Sequence, residues 1–264
     1  SPVFVAPAMD LEMYNHPTTK ENLAKLNSFG VNIIPPDKGE LASGLFGEGR
    51  MAEPEDIINH LSTYLKKKLP LAGKKALVTA GSTHEAIDPV RFIGNHSSGK
   101  MGFEVAEELA AQGAQVILIC GPNSLSIKNH SIKRIDVVSA DQMYETCMMH
   151  HKQAEIVVMA AAVADFKPTQ SENKKIKKEA GLTAIDLTPT RDILAEIGKK
   201  KNGSLLVGFA LETNDPIEHA KKKLHNKNLD FIVLNSPTDK TGFKHDTNKI
   251  TIIDKSTVRA LDLM

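Results

Sequence analysis

The fold class predicted for this chain is α/β, built on a doubly wound, mostly parallel sheet. Two observations predict it. From Lys75 onward, continuous runs of apolar β-formers alternate with amphipathic stretches of helical length, as in strands buried on both faces and joined by crossover helices. Residues with binding chemistry gather just after several of these runs, where an open α/β sheet presents its ligands.

The first stretch is the less regular part. PVFVA at 2–6 reads as a strand entering the loop PAMDLEMYNHP, and Leu23, Leu26 and Phe29 share one face of a helix over 18–29. A short strand follows at 31–34. Glycine-rich GELASGLFGEGRMAEP then reads as a loop before a helix over 53–67. Two strands and two helices make a poor parallel sheet, so residues 1–68 predict a fragment of a larger α/β domain. Basic KKKLPLAGKK marks a linker, assigned to 69–75, and a second domain over 76–264. There, strands are predicted at 76–80, 115–120, 156–160, 205–210 and 230–234, and helices at 102–112, 141–152, 191–200 and 216–226. Residues 249–253 and 258–262 read as a C-terminal antiparallel hairpin.

The chain is organised around TAGSTHEAIDPVRFIGNHSSGKMG, residues 79–102. It leaves the strand Ala76-Leu77-Val78 and opens onto an amphipathic helix, an arrangement that aims backbone N–H groups at a phosphate. Gly81, Gly99 and Gly102 allow close approach to the backbone, and Arg91, Asn95, Ser97, Ser98 and Lys100 bind anions or carbonyls. Gly94 to Met101 departs from a P-loop because Met101 stands where Ser or Thr would hold magnesium. A dinucleotide fingerprint is absent because Gly81 lacks its spaced partners. The bland alternative is a surface loop that caps a helix; length, basic character and position favour a nucleotide or phosphate site.

Three further stretches follow strands or lie just beyond them. AAAVADF, 160–166, admits a ligand against its small residues, and Asp165 suits a ribose, base or metal, or else a helix cap. KKIKK, 174–178, reads as a solvated charge run or as a flap that brings a lysine to a phosphate. In GFALET, 208–213, Phe209 stacks on a base or simply joins the core. The histidines lack metal spacing, no G-x-S-x-G elbow is present, and Cys120 and Cys147 read as unpaired by any metal pattern. A net charge of +1 with 25% charged residues argues against a polyanion binder, so no nucleic acid is expected. No apolar run approaches the ~18 residues of a membrane span, so no membrane partner is expected and a soluble, cytoplasmic protein is predicted.

IDPVRFIGNHSSGKMG, AAAVADF, KKIKK, GFALET and KNLDFIVLN together resemble phosphopantothenate–cysteine ligase, over residues 71–264. Residues 1–68 resemble the C-terminal part of phosphopantothenoylcysteine decarboxylase, a flavin enzyme fused upstream of the ligase in most bacteria. APAMDLEMY is similar to that family's PxMNxxMW, and GELASGLFGEGRMAEP to its substrate clamp. The fold implied is a Rossmann-like sheet with a C-terminal antiparallel hairpin, preceded by a partial flavodoxin-like α/β segment.

The resemblance implies a CTP-dependent ligation. 4'-Phosphopantothenate is activated as an acyl-cytidylate with loss of pyrophosphate, and the cysteine amine then displaces CMP. Asn95 and Lys175 are implied as catalytic, Lys175 on the triphosphate and Asn95 on the acyl group. Gly81, Ser97, Ala161, Asp165, Thr190, Arg191, Asp192, Ile193, Phe209, Lys223 and Lys227 are implied to hold the nucleotide. Arg91, Asn95 and Ala162 are implied for the substrate, Arg91 across a homodimer interface. Mg2+ bridges the phosphates, CTP is a co-substrate, and no dedicated metal ligands are implied.

The chain departs from the pattern at Thr190-Arg191-Asp192, where the ligases often have NPD. In the decarboxylase part Asp10 replaces the catalytic asparagine and Ser43 replaces the cysteine that protonates the product. Serine is a far weaker acid than a thiol. These residues also lack the upstream flavin-binding half. FMN is therefore expected only in a full-length parent, and neither FMN nor decarboxylase activity is expected from this chain. Two other classes remain: a nucleotide-binding or assembly module without turnover, and an oxidoreductase, disfavoured by the missing glycine fingerprint.

Overall fold

The computed structural model describes residues 1–177, 184–211, 215–235 and 249–262. It divides into two compact units, Ser1–Leu69 and Pro70–Met264.

In the first unit, β1 (Phe4–Val5) leads through Asp10 into α1 (Leu11–Asn15), then α2 (Pro17–Ser28) and β2 (Asn32–Ile33), which pairs in parallel with β1. Helix α1 stands where the sequence reads as loop. Asp10 caps it by accepting from the Leu11 amide, a signal hidden by its shortness. The glycine-rich stretch is likewise no open loop: β3 (Asp37–Glu40) and β4 (Phe46–Arg50) form an antiparallel hairpin with a register shift at Asp37/Lys38. Helix α3 (Pro54–Lys67) closes the unit, with Tyr64 edge-on to Phe4 at 4.9 Å. Buried apolar side chains are few: Ile34, Leu41 and Ala52.

The second unit is an α/β sandwich. In chain order it runs through β5 (Lys75–Ala80), β6 (His84–Ala86), β7 (Phe92–Gly94), α4 (Lys100–Ala111), β8 (Gln115–Cys120), β9 (Ile132–Asp136), α5 (Ala140–His150) and β10 (Ile156–Met159). It continues with β11 (Phe166–Pro168), β12 (Leu187–Pro189), α6 (Ile193–Lys199), β13 (Leu205–Leu211), α7 (Pro216–Asn226), β14 (Phe231–Asn235), β15 (Ile250–Ile253) and β16 (Val258–Ala260). Among the described residues the main sheet has the order β16-β15-β14-β13-β10-β5-β8-β9. The pairs from β14 to β9 are parallel, and β15 and β16 add antiparallel, so the predicted mostly parallel sheet with a terminal hairpin is the fold.

Strand β9 escapes the sequence reading because it is an edge strand in which the polar residues Lys133, Arg134 and Asp136 interrupt the apolar run. The hairpins β6–β7 and β11–β12 lie within stretches read as ligand loops. One sheet face packs Leu77, Ile119, Val157 and Leu206 against Met143 and Cys147 of α5, Ile197 of α6 and Leu224 of α7. The other packs Val78, Leu118 and Val158 against Phe103, Ala106 and Ala110 of α4. Each such large side chain contributes about 1.5–3 kcal/mol on burial, so this unit owes its stability to both faces.

Candidate functional site

The sheet reverses its winding between β5 and β10: after β5 the chain adds β8 and β9 on one side, after β10 it adds β13 and β14 on the other. The crevice beyond the carboxyl ends of these two strands is where an open α/β sheet binds ligands. The geometry there rests on three glycines that sequence spacing keeps apart. Gly81 ends β5 with φ +76, and Gly99 precedes α4 with φ +78. A Cβ on Gly99 would lie 3.2 Å from Gly81 Cα, and one on Gly102 only 2.6 Å from Ala80 Cβ. Three glycines separated in the sequence thus meet at the carboxyl end of β5, with hairpin β6–β7 inserted after the first.

The helix start also uses its serines locally: Ser97 Oγ accepts from the Gly99 amide at 3.3 Å and Ser98 Oγ from the Lys100 amide at 3.4 Å. Both hydroxyls thus close local turns ahead of α4, whose N-cap is Gly99. The N-terminus of α4 retains the partial positive charge that suits an anion.

The loops after β5 and β10 are stitched together. Thr79 Oγ1 accepts from the Ala161 amide at 3.2 Å, Gly81 O from the Ala162 amide at 2.8 Å, and Thr83 Oγ1 from the Ala164 amide at 3.0 Å. The amides of Ala161 and Ala162, expected to reach a ligand, are therefore committed within the protein. Asn95 donates to Val163 O at 3.1 Å, which places its exposed amide at the crevice. Thr190 Oγ1 donates to Ala164 O at 2.6 Å and its amide to Asp165 O at 2.9 Å, so Thr190 and exposed Asp165 also meet here. Thr79 and Thr83, both buried, are site-building residues that the sequence reading missed. A hydroxyl closing an apolar strand was the available signal.

Asp88 was also missed. Its carboxylate is wholly buried and accepts from Arg91 Nε at 3.0 Å, from the Val90 and Arg91 amides, and from the Ile176 amide at 3.2 Å. Arg91 in turn donates to Ile176 O at 3.1 Å. The Arg91 guanidinium first, and these amides after it, hold the Asp88 carboxyl well below the usual carboxylate range against the opposing effect of burial. The pair grips both backbone groups of Ile176, in the middle of KKIKK, so exposed Lys175 sits on an anchored segment. Lys178 of that run lies outside the described residues, as do Glu212 and Thr213 of GFALET. Arg91, expected at a homodimer interface, is half exposed and bonds Asp88 and Ile176 of its own chain.

The remaining expected residues make contacts within the fold. Arg191 stacks over Tyr144 at 3.8 Å and bonds Asp141 and Glu145. Asp192 caps α6 through the Ala195 amide and pairs with Lys227 at 2.7 Å, while Ile193 is buried. Lys223 donates to Phe209 O at 2.7 Å, and the Phe209 ring packs against the core. In the first unit Asp10 caps α1, and Ser43 Oγ accepts from the Leu45 amide at 3.4 Å.

The Flavoprotein family model matches residues 1–66, and the model described as the DNA/pantothenate metabolism flavoprotein C-terminal domain matches residues 71–264. The chain belongs to the DNA/pantothenate metabolism flavoproteins. It is 54% identical over 97% of its length to a protein of an unknown prokaryotic organism named cysteine/cysteine sulfinic acid decarboxylase, of which it spans 73%. It is 45% identical over 97% of its length to the coenzyme A biosynthesis bifunctional protein CoaBC of Bacillus subtilis, of which it spans 64%. Among solved structures it resembles the C-terminal domain of a CoaBC protein, with TM-score 0.63 and 38% identity over 74% of this chain and 89% of that one. A DNA/pantothenate metabolism flavoprotein from Streptococcus pneumoniae, 24% identical with TM-score 0.63 over 72% of this chain and 92% of that one, shares the fold.

Membership in the DNA/pantothenate metabolism flavoproteins corrects four expectations. The chain was expected to be a ligase domain behind a decarboxylase remnant; the models over both segments are described as flavoproteins. CTP-dependent ligation, and an enzyme of ligase class alone, give way because both matching families are described as flavoproteins and the 54% identical relative is named for decarboxylation. CTP and Mg2+ lose their support with it. FMN, expected to have no place in this chain, is implied by the Flavoprotein match over 1–66. That match falls on the first unit. Its buried apolar side chains are Ile34, Leu41 and Ala52, while Met13, Phe29, Phe46 and Ile58 remain exposed, and Asp10 and Ser43 serve local caps.

Proposed function

We propose that this chain is the greater part of a decarboxylase-type flavoprotein of coenzyme A biosynthesis, acting on a pantothenate-derived cysteine carboxylate such as phosphopantothenoylcysteine. The observation that carries the reading is similarity along nearly the whole chain to two relatives at once, one named for cysteine decarboxylation and one for coenzyme A biosynthesis. A bound flavin would supply a reversible two-electron oxidation of the substrate's thiol carbon to C=S, which accepts the electron pair left by loss of carbon dioxide, and would return the same two electrons afterwards.

The second unit's contribution is positioning. The crevice between β5 and β10 presents the N-terminus of α4, backbone without Cβ at Gly81 and Gly99, and the Asn95 amide, which suits the phosphate and amide groups of such a substrate. A homodimer fits the exposed Leu205 and Leu211 on one face of β13. A small-molecule metabolic role fits a cytoplasmic location, and no helix among the described residues is long and apolar enough to cross a membrane.

The test uses a protein carrying this chain. Its purified form is expected to show the visible absorption of bound flavin and to release carbon dioxide from phosphopantothenoylcysteine. Colourless protein that takes up no FMN and leaves that substrate intact overturns the reading.

A further inference from the structure

We propose a second ligand site, at the opposite end of the strands from the glycine loop, which takes a small organic anion with an apolar body and a single carboxylate or phosphate end. The parallel register sets Leu77 beside Ile117 and Ile117 beside Lys133, so all three project from one face across β5, β8 and β9. Helix α5 covers that face farther up but ends at His150, and the 3₁₀ turn His151–Gln153 carries the chain down to β10. Among the described residues of this unit, none covers the lower corner of the face. What remains is a cavity of about 340 Å³, at the small end of the roughly 300–1,000 Å³ of ligand pockets.

Its floor is apolar, made by Leu77, Ile117 and Ala154. Its rim is basic, with Lys75 in line with Leu77 along β5 and Lys133 across on β9, and Ser131 and His150 beside them. Among the described residues neither lysine has a carboxylate at ion-pair distance. Glu155, the acid beside Lys75, bonds the Lys74 ammonium at 2.6 Å and the Lys75 amide at 3.2 Å. An apolar body on the floor removes that surface from water, while its anionic end meets the basic rim. That combination selects an amphipathic anion over a neutral apolar molecule or an inorganic ion.

The probes are octanoate and octyl phosphate, which distinguish the two end groups, with octan-1-ol as the neutral control. Amide NMR shifts are followed in the whole chain. At least one anion is expected to give saturable shifts at residues 75–77, 115–117, 131–133 and 150–154, with octan-1-ol at least about tenfold weaker. The double variant Lys75→Glu/Lys133→Glu, both exposed positions, is expected to lose affinity by about tenfold or more, the ratio that corresponds to one pair of opposed charges, with its other amide shifts unchanged. Shifts that map elsewhere, no saturable shift with either anion, or equal affinity for the double variant or for octan-1-ol each overturn the site.

Discussion

At the residue scale, burial and hydrogen bonding decide what each polar group can do. Burial first, and the neighbouring Asp136 carboxylate second, push the Cys120 thiol up to about 11, and burial alone pushes Cys147 up to about 12. Both cysteines are buried and unpaired, so alkylation at neutral pH is expected to wait for unfolding. Mass spectrometry after iodoacetamide, with and without denaturant, checks this; labelling of native protein at the rate of a free thiol contradicts it. Asp88 makes the sharper case. Its folded carboxyl binds protons less readily than the usual carboxylate of pKa ~3.9 in an unfolded chain. The grip on Ile176 is therefore fully present above about pH 4 and is lost only as pH falls through the lowered folded value. Asp88→Asn removes the charge at constant shape and is expected to speed tryptic cleavage at Lys174, Lys175 and Lys177 on the order of tenfold. Cleavage there at the unchanged rate would mean that the segment is held by other contacts. Asp88 was legible as a residue but not as an anchor, because its partner Ile176 is far along the chain.

At the scale of elements, the start of α4 is where packing tolerance is smallest. A Cβ on Gly102 would meet Ala80 Cβ at 2.6 Å and Thr79 O at 2.9 Å, both on β5. Gly102→Ala therefore has to push the helix off the strand and is expected to cost roughly 1–3 kcal/mol. Thermal unfolding measures this, and an unchanged Tm would show that α4 shifts freely. The same contact explains how much of the site was legible. Strands β5, β8, β10, β13 and β14, and the helices between them, follow from apolar runs and 3.6-residue periodicity. The hairpins β3–β4, β6–β7 and β11–β12 do not, since short strands in Gly- and Pro-containing segments carry little period-2 signal. Gly81, Asn95, Ala162, Asp165 and Thr190 were each picked from the sequence and do converge. Arg191, Asp192 and Lys227 were picked on the same grounds, yet they are ion-paired to structural partners.

At the scale of the molecule, the two units differ in what holds them together. Residues 1–69 bury few apolar side chains, whereas 70–264 pack both faces of a parallel sheet. Amide hydrogen exchange is accordingly expected to be slowest in β5, β8, β10 and β13 and much faster throughout residues 1–69; uniform protection across the chain contradicts this. Fold class, most of the element order in the second unit, and the region of the candidate site were legible before folding, because strand and helix periodicity record local burial and small residues record close approach. Strand order, the meeting of three separated glycines, and which charged side chains are paired within the fold emerge only on folding. Those depend on pairing between residues far apart in the chain, for which no local pattern exists.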